Sequence, residues 1–209
     1  MALIVTCSVV AIAVIVFKAV VMRTHLVVPR AAGETLVNSG EYVAAGTTDQ
    51  FLANLSDSNS PLTRPAMVAL GGGHSAQTSA RSAAETIARE EVFRLQSGMP
   101  VLEVVITIAP LLGLLGTVSG LVSVFSTIGG ALEGDADPTL LARGIAMALN
   151  TTVAGLAVAV PTVMAHSYFQ RKIERLAARI EVILDAGISS YFAALERLEE
   201  QHKEDKEDE

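Results

Sequence analysis

Residues 107–125 read TIAPLLGLLGTVSGLVSVF, and residues 137–169 read DPTLLARGIAMALNTTVAGLAVAVPTVMAHSYF. The first run, and the second from Gly144 on, sit in long stretches free of charge. No Asp, Glu, Lys or Arg occurs between Glu103 and Glu133, nor between Arg143 and Arg171, which leaves gaps of 29 and 27 residues. A helix needs roughly 20 predominantly apolar residues to cross a bilayer. A soluble helix of such length would show charge on its solvent face. Both stretches are therefore expected to be membrane spans, joined by the short link LEGDAD (132–137).

A third apolar run opens the chain. Ala2 to Phe17 carries no charge, and the run continues past Lys18 to Met22. A cleaved secretory leader begins with basic residues. Here the first positive charge, Lys18, comes after the apolar run, so a retained span is expected. The composition agrees: 51% of residues are hydrophobic and 18% charged, against about a quarter charged in a soluble domain. The single cysteine, Cys7, excludes an internal disulfide and a Cys-based zinc cluster. A net charge of −7 argues against nucleic acid as a partner. With no tryptophan, three tyrosines and six phenylalanines, the interfacial aromatic belt is thin.

The basic residues set the expected orientation. Lys18, Arg23 and Arg30 follow the first span, and Arg171, Lys172, Arg175 and Arg179 follow the third. The 132–137 link holds Glu133, Asp135 and Asp137 and no basic residue. The positive-inside rule then puts the N-terminus and this link outside, and the C-terminus in the cytoplasm. The expected organisation is a first span at 1–22, a cytoplasmic helical segment at 23–100, a membrane hairpin at 101–170, and a cytoplasmic helix with a charged tail at 171–209.

Within the cytoplasmic parts, Gly, Ser, Asn and Pro break up residues 31–75. Thr47 with Gln50 resembles a capping box that opens a short helix through Leu55. Gly71-Gly72-Gly73 reads as a loop. A polar, Ala-rich helix is expected from Ser75 to Gln96, closed by Gly98-Met99-Pro100. After the third span, Ile173, Leu176, Ile180, Ile183, Leu184, Ile188, Phe192, Leu195 and Leu198 recur at helical spacing without a proline. The third span should therefore continue as one long helix. Its apolar stripe needs a partner, either the 75–96 helix or a neighbouring subunit. The terminal HKEDKEDE reads as a solvated end.

The chemistry lies in the hairpin. Gly113, Gly116, Thr117 and Gly120 share one face of the second span, extended by Ser123 and Thr127. Gly144, Ala148, Thr151, Thr152, Gly155, Ala159 and Thr162 form a matching face on the third. Small residues at this spacing let membrane helices approach closely, and threonine hydroxyls bond across them. Two continuous polar stripes would equally line a narrow wet path. Asp137-Pro138 reads as the cap and first residue of the third span. Thr117 lies 15 residues before Leu132, and Thr152 lies 14 after Pro138. At 1.5 Å per residue both stand roughly 21–22 Å from the turn, at one depth. In a ring of subunits that level becomes a hydroxyl collar.

The two quoted runs resemble the signature spans of the MotA/TolQ/ExbB proton-channel family, in its ExbB/TolQ branch. APLLGLLGTV and ALNTTVAGLAVAVP carry the likeness, within about 65 residues, and the span layout agrees. The resemblance implies an all-α membrane protein of three transmembrane helices with cytoplasmic helical extensions, assembled as a pentameric ring. It implies an ExbD/TolR-like single-span partner that supplies a membrane Asp, and an energy transducer of the TonB or TolA type. Proton-motive force at the bacterial inner membrane would drive that transducer. It implies pore-lining threonines, here Thr117 and Thr152. Thr151, Asn150 and the glycines Gly113, Gly116, Gly120 and Gly155 stand on or beside the same stripes as further pore candidates. A stator for gliding or flagellar motility, or a passive membrane scaffold, are the alternative readings.

One position departs from the family pattern. Many members carry a glutamate where this chain has Met147, five residues before Thr152. Between Arg143 and Arg171 the only Asp, Glu or His is then His166, with Glu103 at the edge of the second span. These two are the candidate cytoplasmic proton path. Proton relays in membranes use Asp, Glu or His, so a conducting carboxylate must come from another chain. Asn150 is a candidate for an interhelical bond or for the pore. Enzyme chemistry is not expected: His25, His74, His166 and His202 lack ligand spacing. GLLGTVSG is neither a dinucleotide nor a phosphate-loop pattern, so no cofactor is implied.

Overall fold

The computed structural model describes residues 1–22, 27–58, 60–74, 76–129 and 138–207. Arg23, His25, the 132–137 link and the capping role of Asp137 lie outside the described residues. Among the described residues every regular element is a helix: α1 (Ala2–Val21), α2 (Arg30–Val37), α3 (Ser39–Ala44), α4 (Thr48–Asp57), α5 (Thr63–Gly71), α6 (Gln77–Gln96), α7 (Met99–Gly129) and α8 (Pro138–Glu207). Three of these helices are long and apolar enough to cross a membrane. The pentameric ring is not part of what a single chain displays.

The chain divides into two compact units. The first comprises Met1–Val20 and Gly98–Gln170, which hold α1, α7 and the first part of α8. α1 buries only Ile4, Ala11 and Lys18, a narrow seam repeating every seven residues. Most of its other apolar side chains are exposed, with Val14 and Ile15 half-buried, as expected of a helix whose solvent is lipid. α7 begins just after Gly98, whose φ of 83° is a left-handed value that glycine adopts without a Cβ clash. α8 opens on Pro138, where the missing N–H costs no helical hydrogen bond. Pro110 and Pro161 lie inside α7 and α8.

The second unit comprises Val21–Ser97 and Arg171–Glu209. α8 is one continuous helix of 70 residues, so the 173–198 stripe extends the third span, as its periodicity predicts. The stripe finds its partners within the same chain. Ile173, Leu176, Ile180, Leu184 and Ile188 are buried. A Cβ on Gly187 would meet Leu36, and one on Gly33 would touch Ile183 at 3.5 Å. Ser39 Oγ donates to the Gly187 carbonyl at 2.7 Å, and Gly40 N–H to Ser190 Oγ at 3.2 Å. Phe51 stacks on Tyr191 with ring centroids 6.5 Å apart. α6 adds Gln77 Nε2 to Ser189 Oγ at 3.1 Å and an Arg81–Asp185 ion pair. Of the two partners expected for the stripe, the 75–96 helix is in place as α6, and α2, α3 and α4 cover the stripe beside it.

Two local readings also change. Residues 31–75 are more helical than their breakers suggest, because Leu36, Val43, Phe51, Leu55 and Ala66 are all buried by tertiary packing. Thr47 does stand before α4, but its hydroxyl bonds back to the Tyr42 carbonyl at 3.3 Å and makes no side-chain cap. The reciprocal arrangement forms instead at Ser60 and Thr63. There each backbone N–H donates to the other's hydroxyl, at 3.0 and 3.2 Å, just ahead of α5. α5 is tied to α6 by Arg64, whose guanidinium pairs with the buried Glu91; Arg94 reaches the same carboxylate at 3.4 Å.

Candidate ion-path site in the hairpin

α7 and α8 meet through their small residues. A Cβ on Gly113 would lie 2.9 Å from the Thr151 carbonyl, and one on Gly155 only 2.5 Å from the Ala109 carbonyl. A Cβ on Gly116 would press on the Thr151 side chain at 2.7 Å, and one on Gly120 on Ala148 at 2.8 Å. The backbones are thus closer than any side chain would allow, which is the membrane use of such stripes. The four glycines stand in the contact between two helices of one chain. What they supply within the chain is proximity.

That proximity builds a hydroxyl cluster. Thr117 Oγ1 and Thr152 Oγ1 are 2.5 Å apart, and Thr117 Oγ1 lies 3.4 Å from Thr151 Oγ1. The level matching argued from helix rise is therefore present within a single hairpin. Two carbonyls face the cluster. Gly113 O lies within 3.0–3.2 Å of all three hydroxyls, and Ala148 O accepts from Thr117 at 3.2 Å and Thr151 at 2.8 Å. The three protons can be placed together: Thr152 to Thr117 Oγ1, Thr117 to Ala148 O, and Thr151 to Gly113 O. A hydroxyl has one proton and two lone pairs. With its protons used internally, the cluster presents only lone pairs to anything outside. Thr117 is 9% exposed, while Thr151 and Thr152 are half-buried and remain open on one side.

The other candidates stand apart from this cluster. Asn150 is exposed on α8, one residue before Thr151. Met147 is 64% exposed, so the thioether that stands in place of the family glutamate projects away from α7. Glu103 is exposed near the start of α7, and its backbone carbonyl accepts from Thr107 Oγ1 at 3.1 Å. His166 is half-buried on α8. No hydrogen bond or ion pair joins Glu103 to His166 among the described residues. Sequence reasoning placed both stripes and offered close packing against each other as one of their two uses, and that packing is present. The signal was the pairing of glycine on one stripe with threonine on the other.

Residues 52–182 match the MotA/TolQ/ExbB proton channel family. The match covers more than half of the chain, and the chain belongs to this family. Its relatives fall in the ExbB/TolQ branch. An ExbB homolog of Methanothermobacter thermautotrophicus is 32% identical over 143 residues, 68% of this chain and 50% of that protein. The biopolymer transport protein exbB1 of Vibrio cholerae is 38% identical over 97 residues, 46% of this chain and 42% of its own. The Tol-Pal system protein TolQ of Haemophilus influenzae is 37% identical over 93 residues, 44% of this chain and 37% of its own. The chain thus spans half the length, or less, of these relatives.

Proposed function

We propose that this chain is the ring-forming subunit of an ExbB/TolQ-type motor in the bacterial inner membrane. In this reading five copies surround the single spans of an ExbD/TolR-like partner. Proton flow through the ring then works a TonB- or TolA-like transducer. The N-terminus and the 132–137 link face outward, and α2–α6 with the end of α8 face the cytoplasm. One charge crossing the membrane yields about 2.3 kcal/mol per 100 mV, so repeated transfers supply enough for a mechanical stroke.

The observation that carries this reading is the Thr117–Thr152 hydroxyl pair, half-buried in a hairpin whose apolar length holds no carboxylate of its own. Threonine does not ionise at working pH, so the chain needs a titrating group from outside. A carboxyl on the partner's span fits. The cluster's outward lone pairs would accept its proton when it is neutral, and a turn of the Thr151 or Thr152 hydroxyl would meet it when ionised. An isolated charge at mid-membrane costs at least about 2.5 kcal/mol, and a pre-built polar collar lowers that cost.

The test is proton flux in vesicles. The chain alone should leak no more than empty vesicles. Flux should appear with the partner and vanish when the partner's membrane Asp becomes Asn. Strong conduction by the lone chain would move attention to Glu103 and His166. The absence of flux even with the partner would favour the passive scaffold, a reading that Met147 keeps in play. Native mass measurement in lipid should show five copies, and a stable monomer or dimer would count against the ring.

A further inference from the structure

The first span is held along a narrow seam. Ile4, Ala11 and Lys18 are buried at intervals of seven residues. Cys7, Ser8, Val14 and Ile15 beside them are half-buried, and the remaining residues of α1 are exposed. This alternation of three and four residues is the spacing by which helices pack along a seam. Every seam position but the last holds an apolar or small side chain. The last, Lys18, carries a charge and is only 1% exposed.

A lysine three residues from the end of a span ordinarily lays its stem along the helix and puts the ammonium among the lipid headgroups. Lys18 is instead sheltered by the chain itself. Its stem lies against Gly98, the left-handed turn residue just before α7. A Cβ on Gly98 would stand 3.6 Å from Lys18 Cε and 3.5 Å from Val14 Cγ1. Position 98 thus borders both side chains. Burying a charge is costly even when the charge is well held. A methionine has nearly the same length and would fill the place without that cost. The charge at this seam position therefore calls for a reason other than stability.

We infer that Lys18 sets the register of the first span. A seam of small and apolar side chains fits its neighbour almost equally well after a slide of one turn. A single lysine at a seam position removes those alternatives, because each slide would carry the ammonium away from its place beside Gly98. The level of α1 against the foot of α7 is then fixed by one charge, at a cost in stability. This is a property of the single chain. It depends neither on the proposed ring nor on proton flow.

The experiment uses the full chain in lipid bilayers, with Cys7→Ser as background. Spin labels at Val16→Cys and Val104→Cys, exposed positions on α1 and α7, report the distance between these helices. Labelled chain is diluted into unlabelled chain, so that only distances within one chain are read. With Lys18 in place a single distance is expected. Lys18→Met should add a second population displaced by several ångströms, the trace of a slide by one turn, about 5.4 Å. Its thermal midpoint should be no lower than the parent's. Val14→Ala keeps the charge and thins the packing on Gly98, so it should keep the single distance with a lowered midpoint. A single distance in Lys18→Met overturns the inference, and so does a second population in Val14→Ala. A midpoint that falls as far in Lys18→Met as in Val14→Ala overturns the claimed cost in stability. If Lys18→Met does not accumulate in membranes, Lys18→Leu is read by the same two measures.

Discussion

Thr117 and Thr152 are 35 residues apart in sequence, yet their hydroxyl oxygens stand 2.5 Å apart between two membrane helices. The pair differs in exposure: Thr117 is buried and Thr152 is half-open. Valine at Thr117 should mainly cost hairpin stability, by about 1–2 kcal/mol, the upper range for interhelical bonds in membranes. Valine at Thr152 should cost partner-dependent function more than stability, and serine should preserve both better at either position. Denaturation in mixed micelles, set beside flux with the partner, separates the effects. If both valine variants leave flux intact, the cluster is packing alone.

Gly155→Ala would push a methyl to 2.5 Å from the Ala109 carbonyl, and Gly113→Ala would bring one to 2.9 Å from the Thr151 carbonyl. Backbone atoms yield only if the helices part. Each change should destabilise the hairpin by about 1–3 kcal/mol, the usual range for overpacking. Gly71→Ala, whose Cβ would meet nothing closer than 3.9 Å, is the control. Equal denaturation midpoints for all three variants would show that the close contact is unimportant.

Arg64→Met leaves the buried Glu91 with Arg94 alone, at 3.4 Å. The loss should be about 1–3 kcal/mol, the cost of an under-satisfied buried polar group. Changing Glu91→Met as well should recover part of it, since an apolar pair of similar volume removes the stranded charge. Thermal unfolding of the single and double variants reads the coupling. A double variant weaker than the sum of both singles would contradict the assignment.

Burial of Tyr191, packed between Phe51 and Phe192, pushes its phenol above the usual tyrosine range. The neutral form is favoured in the fold. This contribution is therefore present below the unfolded-state value near 10 and is lost as pH rises through the higher folded value. An ultraviolet titration should show one of the three tyrosines ionising late, and Tyr191→Phe should remove that component. A late component that persists in the variant would refute the assignment to Tyr191.

The spans were legible because charge is excluded from lipid, and that leaves a mark in any single sequence. The depth of Thr117 and Thr152 was legible because helix rise is constant. The 173–198 stripe announced a helix but not its partner. The covering residues, such as Leu36 and Phe51, lie in short segments with weak periodicity, whose helices depend on the very packing they provide. The cap at Ser60 and Thr63 was hidden for a related reason. Many Ser/Thr pairs have the right spacing, and backbone angles decide which one closes, as the unused Thr47 shows.

The glycine contacts between α7 and α8 leave no slack inside the hairpin. With Gly155 against the Ala109 carbonyl and three threonines knotted around Gly113, neither helix can slide or roll on the other without first separating. The hairpin therefore behaves as a stave rather than a hinge. In the proposed ring, a working stroke would then be taken up at the seams between hairpins, or between hairpins and whatever they enclose. Compliance would belong to that assembly, and each chain would contribute stiffness.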